Sequence, residues 1–210
     1  MSLAQLHDSE LAPMTGRPGT PHWVDLAVQS AMIVLSVLLA LAASNWADAR
    51  KQQRLGDQAL QSFAQEIRAN RARVARLLPY HDSLAVAARK ADSVRSVHSY
   101  ADWQHAYPAW SGFAPPDLTT AAWQSALATG ALTNIRYDRV AALSNVYTIQ
   151  NKLDSFNASY IPLFDFSDGA MPSTVRRMHA YSATVLSFER ALISNYDATV
   201  ALIGSPSTSR

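Results

Sequence analysis

The chain has 210 residues, which is enough for one domain of ordinary size and a membrane anchor. Its net charge of +2 is too small to indicate a nucleic-acid partner, and its charged fraction of 16% is below the roughly 25% usual in soluble domains. The absence of cysteine excludes disulfide bonds, thiolate metal sites, a cysteine nucleophile and a lipoprotein anchor.

The N-terminal part of the sequence divides into a polar tail and an apolar run. Residues 1–22 are rich in Pro, Gly and Thr without an apolar period, which predicts a disordered tail. No charged residue follows from Leu26 to Ala47. About 20 apolar residues span the hydrocarbon of a bilayer, so this run predicts a transmembrane helix over 23–47. A buried core helix is one alternative, and a signal peptide cleaved at the small residues 40–42 is another.

The residues that flank this run predict its interfaces and its orientation. Each end carries a tryptophan, and the C-terminal flank is the more basic of the two. The residues predicted to lie at the membrane interface are Trp23, Trp46, Arg50, Lys51 and Arg54. Basic residues favour the cytoplasmic side, so we expect residues 48–210 in the cytoplasm, with the periplasm as the alternative.

The segment after the membrane predicts a long juxtamembrane helix that reaches to about Leu78, since Pro79 is the first proline after the apolar run. A stripe of mostly apolar residues lies along it at spacings of three and four: Leu60, Phe63, Ile67, Asn70, Val74 and Leu77. The preferred interpretation is one wall of an intramolecular bundle. The alternative is a coiled-coil homodimer or a partner site over 60–77, in which Glu66 and Arg71 would pair between two chains.

Four further helices are predicted. The second begins near Asp82, as an N-cap after a break at Pro79, and ends before Pro108. An aromatic loop follows, whose Trp110 and Phe113 are expected to dock onto the bundle. The remaining helices are predicted over about 118–129 with Gly130 at its C-terminal cap, 136–159 and 172–203.

No alternating apolar pattern indicates a sheet, so the predicted fold is all-α. A transmembrane helix continues into a juxtamembrane helix and then into a bundle of four to five helices. The predicted soluble domain covers 48–204, and a disordered C-terminal tail covers 205–210.

The end of the apolar run carries a pattern, L-x-x-x-N-W-x-x-x-R-K, formed by Leu41, Asn45, Trp46, Arg50 and Lys51. Together with "AAWQSALATGAL" at 121–132 and the helix that carries Tyr147, it resembles an uncharacterised bacterial family of short single-pass membrane proteins. The resemblance covers about 32–157, although Asp48 stands where the family often has Glu nearby. It supports the architecture only and implies no activity. The expected location of the chain is a bacterial inner membrane.

Three residues on the predicted second helix could in principle hold a metal ion. His98, Asp102 and His105 follow each other at spacings of four and three, so one helix would present all three on one side. Two imidazoles and a carboxylate are suitable ligands for Zn²⁺. The preferred interpretation is a solvent-facing polar stripe, because no Glu-x-x-His partner occurs on another helix.

Two further clusters have a functional and a structural interpretation. The basic cluster is Arg68, Arg71, Arg73 and Arg76, and the aromatic cluster is Tyr100, Trp103, Tyr107, Trp110 and Phe113. The arginines could meet an acidic partner or pair within the bundle, and a solvated face is preferred. The aromatic residues could line a ligand pocket, and a core around an irregular loop is preferred.

The functional expectation follows from the absence of catalytic motifs. The sequence contains no P-loop, G-x-G-x-x-G, G-x-S-x-G or H-E-x-x-H motif, and no cofactor is predicted. We expect a non-enzymatic, membrane-tethered domain that binds a partner, acts as a scaffold or senses a state. The alternative is a small-ligand or metal-binding domain, with or without enzymatic activity, that uses the His98, Asp102 and His105 face. The expected partners are the bilayer and, at 60–77, another protein or a second copy of this chain. No nucleic-acid partner is expected.

Overall fold

The computed structural model describes residues 22–205. The predicted disordered tails lie outside this range, apart from His22, which begins the first helix, and Ser205, which follows the last. All regular structure within the described range is helical, which confirms the all-α prediction. The five α-helices are α1 (His22–Val94), α2 (Tyr100–Ala106), α3 (Ala121–Thr129), α4 (Tyr137–Tyr160) and α5 (Met171–Gly204).

The contacts between Cα atoms divide the chain into two units, Met1–Arg50 and Lys51–Arg210. The described part of the first unit is the N-terminal portion of α1, where the most apolar window has a mean hydropathy of 2.3 and no buried residue. A helix of this length and composition is a candidate for crossing a membrane. The guanidinium of Arg50 lies 4.3 Å from the centre of the Trp46 ring, so two of the five predicted interface residues contact each other.

The second unit is built around the predicted stripe of α1. Phe63, Ile67 and Val74 are fully buried in a core that also receives side chains from α4 and α5. Asn70 is buried as well, and its side chain hydrogen-bonds the backbone N–H and C=O of Thr119. The stripe therefore forms a wall of an intramolecular bundle.

Glu66 and Arg71, which the dimer interpretation would pair between two chains, both have partners within the bundle. Glu66 accepts hydrogen bonds from the backbone N–H of Ala122 at 2.9 Å and from the Tyr147 hydroxyl at 2.6 Å. Arg71 pairs with Asp197 of α5, with 2.5 Å between Nε and Oδ1. Both side chains thus join α1 to other helices of the same chain.

The predicted break at Pro79 and the predicted helix start at Asp82 are wrong, because α1 passes through the proline and ends at Val94. Pro79 cannot donate a backbone hydrogen bond, which normally weakens a helix. Tyr80 and His81, which follow the proline directly, are hydrogen-bonded to the aromatic loop through their side chains. Asp82 does not cap a helix; its carboxylate pairs with Arg190 of α5 at 3.0 Å.

The other helix ends follow the sequence closely. Gly130 adopts a left-handed conformation with φ of 68° at the end of α3, as the sequence predicts. Gly56 serves a different purpose, since a Cβ atom there would lie 2.8 Å from the backbone oxygen of Asn134. The glycine therefore permits the close approach of α1 to the short 3₁₀ turn at Ala131–Asn134.

A candidate ligand cleft in the aromatic loop

The predicted metal face does not lie on one helix. α1 ends at Val94, Arg95 takes a positive φ of 51°, and His98 lies in the connection before α2. Asp102 instead completes the N-terminal cap of α2: its Oδ2 accepts hydrogen bonds from the backbone N–H groups of His98 and Ser99, both at 2.9 Å. These hydrogen bonds lower the pKa of Asp102.

The cap of α2 is reciprocal. The Ser99 hydroxyl accepts from the Asp102 N–H, so serine and aspartate cap the helix reciprocally. His105 lies in the last turn of α2. Among the described residues, no group of three His, Cys, Asp or Glu side chains is arranged to hold a metal ion. Asp102 is therefore a capping residue of α2, and His98 lies outside the helix that carries Asp102 and His105.

The aromatic loop after α2 packs onto the bundle, as predicted. Trp103, Tyr107 and Phe113 are buried, and Trp110 is half-buried between Trp103 and Phe113. Successive rings meet edge to face, with an interplanar angle of 78° between Trp103 and Trp110 and 87° between Trp110 and Phe113. Such edge-to-face contacts are favourable for aromatic pairs beyond their burial. The loop thus extends the core with its buried rings, and Trp110 leaves part of the loop exposed at the surface of the bundle.

The tip of the loop has an unusual backbone that α1 holds in place. Gly112 and Ala114, on either side of Phe113, have positive φ angles of 95° and 45°. The left-handed region is unfavourable for alanine, so the surrounding contacts must stabilise this conformation. The Tyr80 hydroxyl donates to the Gly112 carbonyl at 2.5 Å and accepts from the Ser111 N–H at 3.1 Å.

His81 makes the third contact to the loop and links it to α5. Its Nε2 lies 2.9 Å from the carbonyl oxygen of Phe113, and its Nδ1 lies 2.6 Å from Oε1 of Glu189. His81 is 1% exposed and Glu189 is fully buried. A carboxylate on α5, an imidazole on α1 and a loop carbonyl therefore form one continuous hydrogen-bonded chain.

The protonation of His81 follows from this geometry. Both ring nitrogens face an acceptor, and a neutral imidazole, with a single N–H, can donate to only one of them. Burial lowers the pKa of His81, but the hydrogen bond and charge of Glu189, with the loop carbonyls of Phe113 and Ala114, outweigh it and leave the pKa raised. The imidazolium satisfies both acceptors. Glu189 retains one buried oxygen, Oε2, without a hydrogen-bond partner.

An open cleft lies between the aromatic loop, the start of α2 and the segment before α5. Its volume is about 540 Å³, which lies within the usual range of small-molecule sites. The residues that line it are Tyr100, Trp110, Ser111, Gly112, Phe113 and Phe166. None of them carries a charge, and four of them are aromatic. This cleft is the strongest candidate for a functional site, because it is concave, aromatic and held by a buried polar network.

Other polar groups of the bundle have structural roles. Arg73 donates to the side-chain oxygen of Asn70 at 2.8 Å, and Arg71 pairs with Asp197, so part of the basic cluster is engaged within the chain. Burial and the hydrogen bond to Glu66 raise the pKa of Tyr147. The Arg71–Asp197 pair and the Tyr147–Glu66 hydrogen bond join different helices, whereas the Arg73–Asn70 contact lies within α1.

The sequence pointed to part of this site and missed the rest. The aromatic cluster included Tyr100, Trp110 and Phe113 of the cleft, but Phe166 comes from a distant connection and was not associated with it. No sequence pattern indicates that His81 and Glu189 pair, because 108 residues separate them. The rarity of glutamate is the one sequence feature that marks these residues. Glu66 and Glu189 are the only glutamates after the anchor, and both are hydrogen-bonded in the bundle.

Comparison with protein-family models, with curated proteins and with solved structures finds no match to this chain. The resemblance to a bacterial single-pass family therefore stays a prediction.

Proposed function

We propose that this chain is a non-enzymatic, single-pass membrane protein whose helical domain binds a small molecule in the aromatic cleft and acts as a sensing module. The observation that carries the proposal is the cleft itself, with four aromatic rings around about 540 Å³. The loop that forms it is fixed from behind by Tyr80 and His81. A rigid, preformed pocket suits ligand binding because little ordering is needed when the ligand enters.

The membrane part of the proposal rests on the uncharged run from Leu26 to Ala47 and on its tryptophan and basic flanks. Arg50, Lys51 and Arg54 favour a cytoplasmic helical domain at a bacterial inner membrane. A reporter that is active only in the periplasm, fused after Arg210, tests this orientation. We expect an inactive reporter at the C-terminus, and an active one would reverse the assigned side.

The binding proposal is tested by filling the cleft. Ser111 lines the cleft and is exposed, so Ser111→Trp places a bulky side chain in it without replacing a core residue. The matched control is Ser159→Trp, on an exposed serine that lines a separate groove between α4 and α5. The full-length chain in detergent micelles is incubated with a cell metabolite extract, and retained molecules are identified by mass spectrometry. We expect a retained molecule that Ser111→Trp loses and Ser159→Trp keeps. Equal retention by both variants, or no retention, would refute the proposal.

A further inference from the structure

We infer that the aromatic cleft recognises a quaternary ammonium group, such as the trimethylammonium group of choline. The inference rests on the proposed ligand-binding function and adds the chemical class of the ligand. It follows from the arrangement of the rings, from the absence of positive charge in the lining and from a carboxylate next to the cleft.

The rings of the cleft stand at angles to one another and are not parallel. Tyr100 and Phe166 meet at an interplanar angle of 82° with 5.7 Å between centroids. Trp110 meets Phe113 at 87° and Phe166 at 43°. A planar aromatic ligand stacks best between parallel walls, which these angles do not provide. Tyr100 with Phe166 and Trp110 with Phe113 instead meet edge to face, so each pair forms a corner against which a compact, rounded group can rest, as in aromatic cages for quaternary ammonium.

The electrostatics of the cleft favour a cation. The face of an aromatic ring is its negative part, and cation–π attraction is strongest for tryptophan. No lysine, arginine or histidine belongs to the lining. Asp168 is exposed, and its Oδ1 lies 3.4 Å from the backbone N–H of Tyr100, at the first residue of α2. The carboxylate of Asp168 forms no ion pair within the described range, so it is available to a cationic ligand.

The polar groups of the cleft distinguish a quaternary ammonium from a primary one. A primary ammonium is strongly hydrated and has three N–H donors that need acceptors on binding. Two loop carbonyls already accept a hydrogen bond, that of Gly112 from Tyr80 and that of Phe113 from His81, which reduces the acceptors left for these donors. A quaternary ammonium has no donor, so burying it leaves no hydrogen bond unmade.

The test measures binding of radiolabelled choline to the full-length chain in maltoside micelles by equilibrium dialysis. The competitor is the tert-butyl analogue of choline, which has the same shape and no charge. We expect this analogue to compete at least about tenfold less well than unlabelled choline. Glycerophosphocholine, the headgroup of a phosphatidylcholine lipid, is a third probe. Competition by it as strong as by choline would support a lipid source, and much weaker competition would support a free solute.

Variants locate the binding site. Phe166 is half-buried, so Phe166→Leu and Phe166→Tyr are tolerable, and the second retains the ring. We expect Phe166→Leu to weaken choline binding roughly threefold to thirtyfold and Phe166→Tyr to change it little. Asp168→Asn should weaken it about threefold or more. The matched control is Tyr160→Leu, at a 44% exposed aromatic residue outside the cleft, which should leave binding unchanged.

The outcomes separate this inference from the proposed function. If choline and its uncharged analogue bind equally well, and Phe166→Leu weakens both, the cation preference is wrong while the cleft remains a ligand site. If choline does not bind, the inference is wrong, and the Ser111→Trp experiment still decides the proposed function. If choline binds but Phe166→Leu and Asp168→Asn behave like Tyr160→Leu, the ion binds elsewhere and the inference is overturned.

Discussion

The buried pair of His81 and Glu189 should be strongly coupled in the free energy of unfolding. Replacing His81 by leucine leaves the carboxylate of Glu189 fully buried with no positive partner, and its Oε2 already lacks a hydrogen bond. Removing one member of a buried ion pair costs about 3–5 kcal/mol. The carbonyl of Phe113 also loses its donor. We therefore expect His81→Leu to destabilise the bundle by about 3–5 kcal/mol.

The converse replacement should cost less, because a histidine can lose its charge. In Glu189→Leu, a neutral His81 still donates through Nε2 to Phe113, and only Nδ1 is left without a partner, at about 1–3 kcal/mol. The double variant removes both charges together and should be less destabilised than His81→Leu alone. The resulting coupling energy should be about 2 kcal/mol or more, within the range seen for contacting residues.

The chain contains a matched exposed pair for comparison. Asp82 and Arg190 are the sequence neighbours of His81 and Glu189 and also join α1 to α5, at 3.0 Å. Their side chains are 56% and 63% exposed, so their coupling should be about 0–1 kcal/mol. Both cycles are measured by urea unfolding of the full-length chain in micelles, followed by circular dichroism. Equal coupling in the two cycles, or additive effects of His81→Leu and Glu189→Leu, would refute the reasoning.

Three further predictions follow from other contacts. The pKa of His81 is raised above its unfolded value near 6.5. The contribution of the His81–Glu189 pair to stability should therefore be complete below about pH 6.5 and lost as the pH rises through the folded pKa. Urea unfolding of the wild type and the double variant across this pH range measures the loss. Gly56→Ala should destabilise the bundle in thermal unfolding, despite alanine's better helix propensity, because its Cβ would meet the Asn134 carbonyl; a higher melting temperature would contradict this. Arg71→Ala should cost at most about 1 kcal/mol in urea unfolding, since the pair with Asp197 is 41% and 54% exposed, and a larger loss would assign this pair a buried role.

Pro172 and Pro79 show where local reasoning succeeds and where it fails. Pro172 is the second residue of α5, where its missing N–H needs no intrahelical partner, so the sequence predicts this start well. Pro79 offers the same local signal for a break, yet α1 continues through it. The local signal therefore does not separate the two cases. The residues directly after Pro79, Tyr80 and His81, are hydrogen-bonded to the loop across 32 residues of chain, and such contacts lie beyond any local window.

The spacing of His98, Asp102 and His105 fits two different local structures. The spacing alone fits metal ligands on a helix and also fits a helix N-terminus. Ser99 immediately before Tyr100 was the distinguishing residue, since serine followed three positions later by a carboxylate is a capping pattern. The cap determines where α2 begins, and therefore where Tyr100 enters the cleft.

The sequence by itself determined the all-α class, the apolar character of the N-terminal helix, most helix ends and the buried stripe of α1. These properties depend on residues within a few turns of one another, because helix periodicity and capping are local. The tertiary structure decided which distant groups meet: Glu189 with His81, Glu66 with Tyr147, and Phe166 with the aromatic loop. Such pairs depend on how helices pack and on the polar partners that burial requires, and neither is encoded in local spacing.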